Sequence, residues 1–236
     1  MQAIVKYKVG YAIGIRFRAN FGISDQFGAI LDEVLYTKGS IFNESMFPLL
    51  QHTRADEKVL VNQETQNRLT FNTSNIILDI QNISSIDENI AVSSFRKIFI
   101  DGIMRKYKIT QINRIGYINR YIVRDETIAS NFLNATIGNR LGGVNDINLQ
   151  FSKRITISDS LVKKDVYDYH NAIFNIIKKT DKKELFVSVD YQRMYEPFLE
   201  GSGLIDSENF LRSVEDYNTL SFSDWLQTNY GEAHVR

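Results

Sequence analysis

INRIGYINRYIV (112–123) is the most informative stretch of this chain for its fold. Ile and Tyr recur through it, which favours an extended strand. Side chains alternate across a strand, so Arg114, Gly116, Ile118 and Arg120 share one face. Asn113, Ile115, Tyr117, Asn119 and Tyr121 share the other. The six-residue spacing of the two Asn-Arg pairs points both arginines the same way, about 20 Å apart at strand rise. That is too far for one small anion. It suits a ladder of ion pairs with neighbouring strands, or a long acidic partner. Gly116, between them, reads as a place where another group approaches closely.

Upstream, residues 3–18 also alternate. Val5, Tyr7, Val9, Tyr11, Ile13, Ile15 and Phe17 fall on one face, with Lys6, Lys8, Gly10, Gly14, Arg16 and Arg18 on the other. ISDQFGAILDEVLYT (23–37) follows, with Ser24 or Asp25 as helix cap and Phe27, Ile30, Leu31, Val34 and Leu35 at helical spacing. Residues 37–57 read as irregular. EKVLVNQE, NRLTFN and NIILDIQ are short β-prone runs split by Asn-rich turns. From Asp87, which caps it, a helix runs to about Lys108, with Ala91, Phe95, Ile98, Phe99, Ile103 and Tyr107 as its apolar stripe. The first half therefore reads β-α-β-β(-β)-α-β, an order that predicts a ferredoxin-like unit with both helices on one face of an antiparallel sheet.

Downstream, ASNFLNATIGNRLGG (129–143) reads as a linker or short helix ended by Gly142-Gly143. NDINLQFSKRITIS, DVYDYHNAIFNIIKK and ELFVSVDYQRMY read as three strands. Asp206 or Ser207 then caps a closing helix with Phe210, Leu211, Val214, Tyr217 and Leu220 on its apolar side, continuing towards Trp225 and Leu226. The predicted fold class is α+β. A ferredoxin-like unit spans 1–128 and a C-terminal antiparallel β-β-β-α unit spans 144–236; the two sheets are also compatible with one continuous domain.

Composition narrows the function classes. The 236 residues are 43% hydrophobic and 12% aromatic, with 28 basic and 28 acidic side chains, as in a chain with a substantial core. The absence of cysteine excludes disulfides and thiolate chemistry. No run reaches the roughly 18 apolar residues of a membrane span, and the first residues lack signal-peptide organisation. The expectation is a soluble, cytoplasmic protein with no membrane partner. Balanced totals hide two blocks. Residues 96–124 hold eight basic side chains and one acidic, whereas 184–236 hold ten acidic and three basic. Such blocks meet within a fold, meet between copies, or serve different partners.

Three stretches resemble a sporadically distributed family of uncharacterised bacterial and archaeal proteins of roughly this length. They are YAIGIRF, the Arg-Ile-Gly…Tyr-Ile-Asn-Arg strand within INRIGYINRYIV, and the tail DYNTLSFSDWLQTNYG. Gly116-Tyr117-Ile118 is shorter than some family versions of that strand, and Asn218 stands where a His is common. The resemblance carries no activity that transfers residue by residue. It implies a setting among mobile elements or phage-defence systems.

Chemistry-bearing residues are sparse. His52, His170 and His234 form neither HxH nor HExxH spacing. Asp168 and His170 share a strand face, an arrangement that orients a general base or satisfies a half-buried histidine. Asp190, with Glu184 nearby, faintly resembles a metal-dependent nuclease strand, but Asp190-Tyr191-Gln192-Arg193 lacks the second acid and lysine. GNRLGG and GSG do not follow the phosphate-cradle patterns, and no GxSxG elbow occurs. No catalytic residue, metal site or cofactor is expected. The basic block remains. Arg96, Lys97, Arg105, Lys106, Arg114 and Arg120, interleaved with Tyr117, are the candidate binding residues, for nucleic acid or for acids elsewhere in a fold or complex. The leading expectation is a non-enzymatic interaction or scaffold protein that binds a protein partner or itself. The alternatives are a nucleic-acid-binding protein and a metal-dependent hydrolase or nuclease.

Overall fold

The strand with the two Asn-Arg pairs, β6 (Ile112–Val123), lies deep inside a nine-stranded sheet of a computed structural model. The structure describes residues 6–37, 41–43, 46–47, 49–54, 56–133, 146–156, 167–179, 182–200, 207–217, 224–226 and 228. In chain order the strands are β1 (Lys6–Phe17), β2 (Leu49–Arg54), β3 (Glu57–Val61), β4 (Arg68–Asn72), β5 (Asn75–Ile80), β6, β7 (Asp146–Thr156), β8 (Tyr167–Lys179) and β9 (Leu185–Leu199). In space they run β2-β3-β4-β5-β1-β6-β9-β8-β7. Every pairing is antiparallel. The β6–β9 pairing joins the two halves of the chain in one sheet, with Tyr117 opposite Tyr191 and Tyr121 opposite Val187.

One face of the sheet is covered by helices. They are α1 (Phe27–Tyr36), α2 (Glu88–Phe95), α3 (Met104–Lys106), α4 (Glu126–Leu133) and α5 (Ser207–Asp216). The face they cover is the one on which Ile13, Ile15, Leu69, Phe71, Leu78, Ile115, Tyr117, Phe174, Val189 and Tyr191 are buried. Phe71 packs on Phe99, Tyr191 on Phe210, and Phe151 and Phe174 on Trp225. The chain is thus α+β, with an antiparallel sheet and the helices on one side, and no described helix is long and apolar enough to cross a membrane.

Several local expectations change on contact with tertiary structure. The irregular stretch 37–57 contains β2, which pairs with β3. The capping ahead of α1 comes from Asn20, whose side chain accepts a hydrogen bond from Gly22 N at the start of a 3-10 turn over Phe21–Gln26; α1 itself has no side-chain cap. Asp87 caps α2 as read, accepting from Ile90 N at 3.0 Å. Beyond Phe95 the backbone widens into a π-helical segment, Arg96–Ile103, before α3. The wider i→i+5 turn rotates Ile100 and Met104 into the core, and Ile98 is left partly buried. The stretch read as a linker or short helix opens inside a helix, α4, which Asp125 caps by accepting from Ile128 N.

The Gly142-Gly143 turn, the 201–203 loop, the Asp206 cap, Leu220 and His234 lie outside the described residues.

The largest revision concerns β1. Its pairing with β6 jumps from Lys8↔Tyr121 to Gly10↔Arg120, a β-bulge at Val9. A bulge inserts one residue and reverses the facing of everything beyond it. Tyr11, Ile13, Ile15 and Phe17 face the helices as read. Lys8 joins them, and Tyr7 turns to the helix-free face, 49% exposed. Gly10 makes the bulge possible: a Cβ there would sit 2.6 Å from the Ile80 carbonyl oxygen. Gly116, in contrast, has room. A Cβ would meet Asp190 Oδ1 at 3.5 Å, ordinary contact, so the close approach expected there occurs at Gly10 instead.

Candidate functional site: a polar cavity over β1 and β6

A cavity of about 430 Å³ opens between the helix-covered face of β1 and β6 and the helices α2 and α5. The sheet supplies Lys8, Tyr117, Asn119 and Tyr121 to its wall. The helix α2 supplies Glu88, Asn89, Val92 and Ser93, the π segment Arg96, and α5 Leu211, Val214 and Glu215. The bulge in β1 brings Lys8 here, because unbroken alternation would leave it on the opposite face.

Glu88 organises the floor. It lies in the first turn of α2, where the positive end of the helix dipole favours a carboxylate. Both the Lys8 ammonium and the Tyr117 hydroxyl donate to its Oε1. Tyr11 and Tyr117 stack with ring centroids 5.9 Å apart and 9° between planes. Lys8 Nζ lies 5.3 Å from the Tyr11 ring centroid and 5.4 Å from that of Tyr117, so two ring faces also hold the cation. Burial lowers the Lys8 pKa, and the hydrogen bond and charge of Glu88 oppose that change. Burial, reinforced by Glu88, raises the phenols of Tyr11, Tyr117 and Tyr121 well above their ordinary range. Asn119 is 3% exposed, and among the described residues its Oδ1 has no hydrogen-bond partner; the same holds for the buried Tyr11 hydroxyl. A buried polar atom without a partner costs about 1–3 kcal/mol.

The structure divides the basic block. Tyr117 and Arg96 meet at the cavity. Arg96 and Arg105 flank Asp101 at 4.0 and 3.3 Å, and Lys106 pairs with Glu33 at 2.5 Å; Lys97 is exposed on the same helical side. Arg114 and Arg120 lie across the sheet on the helix-free face. Arg120 binds Asp79 at 2.7 Å. Arg114 stands directly opposite Arg16 on β1, and its charge acts on Asp190. The seven candidate residues therefore form no single surface. β6 and β9 carry the two blocks side by side in the sheet, and among the described residues one ion pair joins opposite charges of the two, Arg124 to Glu184 at 3.4 Å.

The Asp168 and His170 pair also resolves differently from a base and its orienting acid. Asp168 takes Arg193 with both oxygens, at 3.0 and 2.6 Å, in a buried ion pair. His170 Nδ1 faces the Tyr191 hydroxyl at 2.6 Å instead. Desolvation, and then the Arg193 charge, lower the His170 pKa to about 4, so the ring is neutral around pH 7. Asp190 sits on the helix-free face, where the Gln192 amide donates to it at 2.5 Å; burial raises its pKa. Among the described residues no three His, Asp or Glu side chains cluster as a metal site.

Lys8, Glu88, Asn119 and Glu215 carry the cavity, and sequence pattern assigns none of them a role. The one local signal is Asn119, a polar residue on the apolar face of a strand. No family model matches the chain, and no curated protein matches it.

Proposed function

We propose that this chain is a non-enzymatic interaction protein that self-associates or scaffolds a larger cytoplasmic assembly. The observation that carries this reading is the face of the sheet that none of the described helices covers. Tyr7, Ile122, Phe186 and Ile177 are lateral neighbours across four strands there. Tyr7 is 49% and Phe186 37% exposed. Ile122 and Ile177 between and beside them are half-buried, and a row of aromatic and aliphatic side chains that reaches the surface at two aromatics has the composition of a protein-binding surface. The internal pairing of Arg96, Arg105, Lys106, Arg120 and Arg124 with acids further supports an architectural role for most of the basic block. The resemblance of the β6 strand and the tail to the sporadic family supports a mobile-element or phage-defence setting. The order β4-β5-β1-β6 supports reading the first half as a ferredoxin-like unit enlarged by β2 and β3.

Light scattering coupled to size exclusion tests the proposal. Self-association should weaken when Tyr7 and Phe186 are both changed to Ser. A strict monomer at every salt concentration, with no specific partner captured from its own host, would reject it.

Nucleic-acid binding is the second reading, and one observation favours it. Arg16 and Arg114 face each other across β1 and β6 with no salt bridge to a described residue. Like charges directly opposite are destabilising, and a phosphate between them removes that cost. A gel shift lost on Arg114→Ala and steeply salt-dependent supports this reading; no shift at low salt rejects it.

A further inference from the structure

The cavity over β1 and β6 has the build of a ligand site, and its walls define the ligand. Its volume lies within the range of small-molecule pockets, roughly 300–1,000 Å³. Lys8 and Arg96 contribute positive charge, Glu88 and Glu215 negative. Lys8 and Glu88 neutralise each other in direct contact, and Arg96 and Glu215 add one charge of each sign, so a simple anion or a simple cation would leave an unbalanced charge in a partly desolvated space. Val92, Leu211 and Val214 form an apolar side wall. Asn119 Oδ1, buried and without a partner among the described residues, requires a hydrogen-bond donor. Tyr117 is held by Glu88, so its ring presents a fixed face.

We propose that this cavity binds a small zwitterion of the α-amino-acid class. Its ammonium group donates to Asn119 Oδ1 and lies on the Glu215 side. Its carboxylate faces Arg96, and its side chain packs on Val92, Leu211 and Val214. Binding adds donors where Asn119 lacks one and leaves the charge of the wall matched. No bond is made or broken. The reading is independent of the helix-free face, because the cavity lies on the other side of the sheet.

The test is a thermal-shift and calorimetric screen of the full chain against the free amino acids, each paired with its N-acetyl and its C-amide analogue. At a hundredfold excess over the dissociation constant, a bound amino acid should raise Tm by about 5–10 °C. Blocking either end should abolish the effect. Asn119→Ala should weaken binding at least tenfold, and so should Glu215→Gln, an exposed change on α5 that leaves the sheet core untouched. Three results overturn the proposal: no free amino acid binds, blocked analogues bind as well as free ones, or Glu215→Gln and Asn119→Ala both leave affinity unchanged.

Discussion

Replacing His170 with Gln should remove a defined part of the protein's acid sensitivity. In the native state His170 is buried on β8, with Nδ1 against the Tyr191 hydroxyl, Arg193 opposite it on β9, and Asp168 two residues away. Its pKa falls from 6.5 to about 4, chiefly through desolvation and then through the Arg193 charge. An unfolded chain binds a proton at this ring near pH 6.5, whereas the native chain does not until about pH 4. Stability from this residue is therefore fully present above pH 6.5 and is lost as pH falls from 6.5 to 4. A tenfold difference in proton affinity between the two states corresponds to about 1.4 kcal/mol, so the loss is about 3 kcal/mol across that window. For a chain of this size that corresponds to about 6–12 °C in Tm. Gln keeps a polar side chain near the Tyr191 hydroxyl and does not titrate. Urea unfolding of both proteins between pH 4 and 7.5 isolates the His170 contribution, because all other groups are common to the two. The difference between the two stabilities should grow by about 3 kcal/mol from pH 4 to pH 7. Parallel curves would contradict this account, as would a His170 ring titrating near 6.5 by NMR in the native protein.

Asp168→Ala leaves the Arg193 charge buried without its carboxylate, and should cost about 3–5 kcal/mol by chemical denaturation. Two glycines should behave oppositely. Gly10→Ala drives a Cβ to 2.6 Å from the Ile80 carbonyl oxygen and should destabilise by about 1–3 kcal/mol. Gly116→Ala makes only ordinary contacts and should be neutral or gain up to about 1 kcal/mol, because alanine loses less backbone freedom in a strand. Among the arginines of β6, Arg120→Ala removes the ion pair to Asp79 and should cost about 1–2 kcal/mol. Arg114→Ala relieves the repulsion with Arg16 and gives up the attraction to Asp190; the two oppose each other, and stability should change by no more than about 0.5 kcal/mol. Equal losses for the two arginines would contradict the placement of Arg114 opposite Arg16.

Much of the framework was legible because it rests on local periodicity. The faces of β6 followed from alternation: Ile115, Tyr117 and Tyr121 are buried, and Arg114 and Arg120 share the opposite side. Asp87 was recognisable as a cap because the hydrogen bond it accepts comes from three residues away. The β-β-β-α order of the second half followed from three alternating runs and one helical stripe. What local pattern could not supply was anything set by a partner strand. The bulge at Val9 is a property of the β1–β6 pair, and it alone decides that Lys8 faces the helices. Period-two alternation assumes an unbroken pleat, so it put Lys8 on the wrong side. The π segment shifts the stripe as well: Ile98 packs at the margin of the core while Ile100 and Met104 lie inside it, since helical spacing assumes a constant turn.

The kinds of element, most of their buried faces, and the imbalance between a basic middle and an acidic end all follow from the order of residues along the chain. Where those charges go follows from folding in three dimensions. Glu88 reaches Lys8 from 80 residues away, Asp79 reaches Arg120 from 41, and Glu184 reaches Arg124 from 60. Glu215 meets Lys8 and Tyr117 only because α5 returns to the same face of the sheet. Period and composition are local sums over neighbours in the chain, while a cavity is a coincidence of distant segments in space. That is why the two arginines of INRIGYINRY stand out in the sequence, while the cavity belongs to Asn119 and Tyr117 on the reverse face of the same strand.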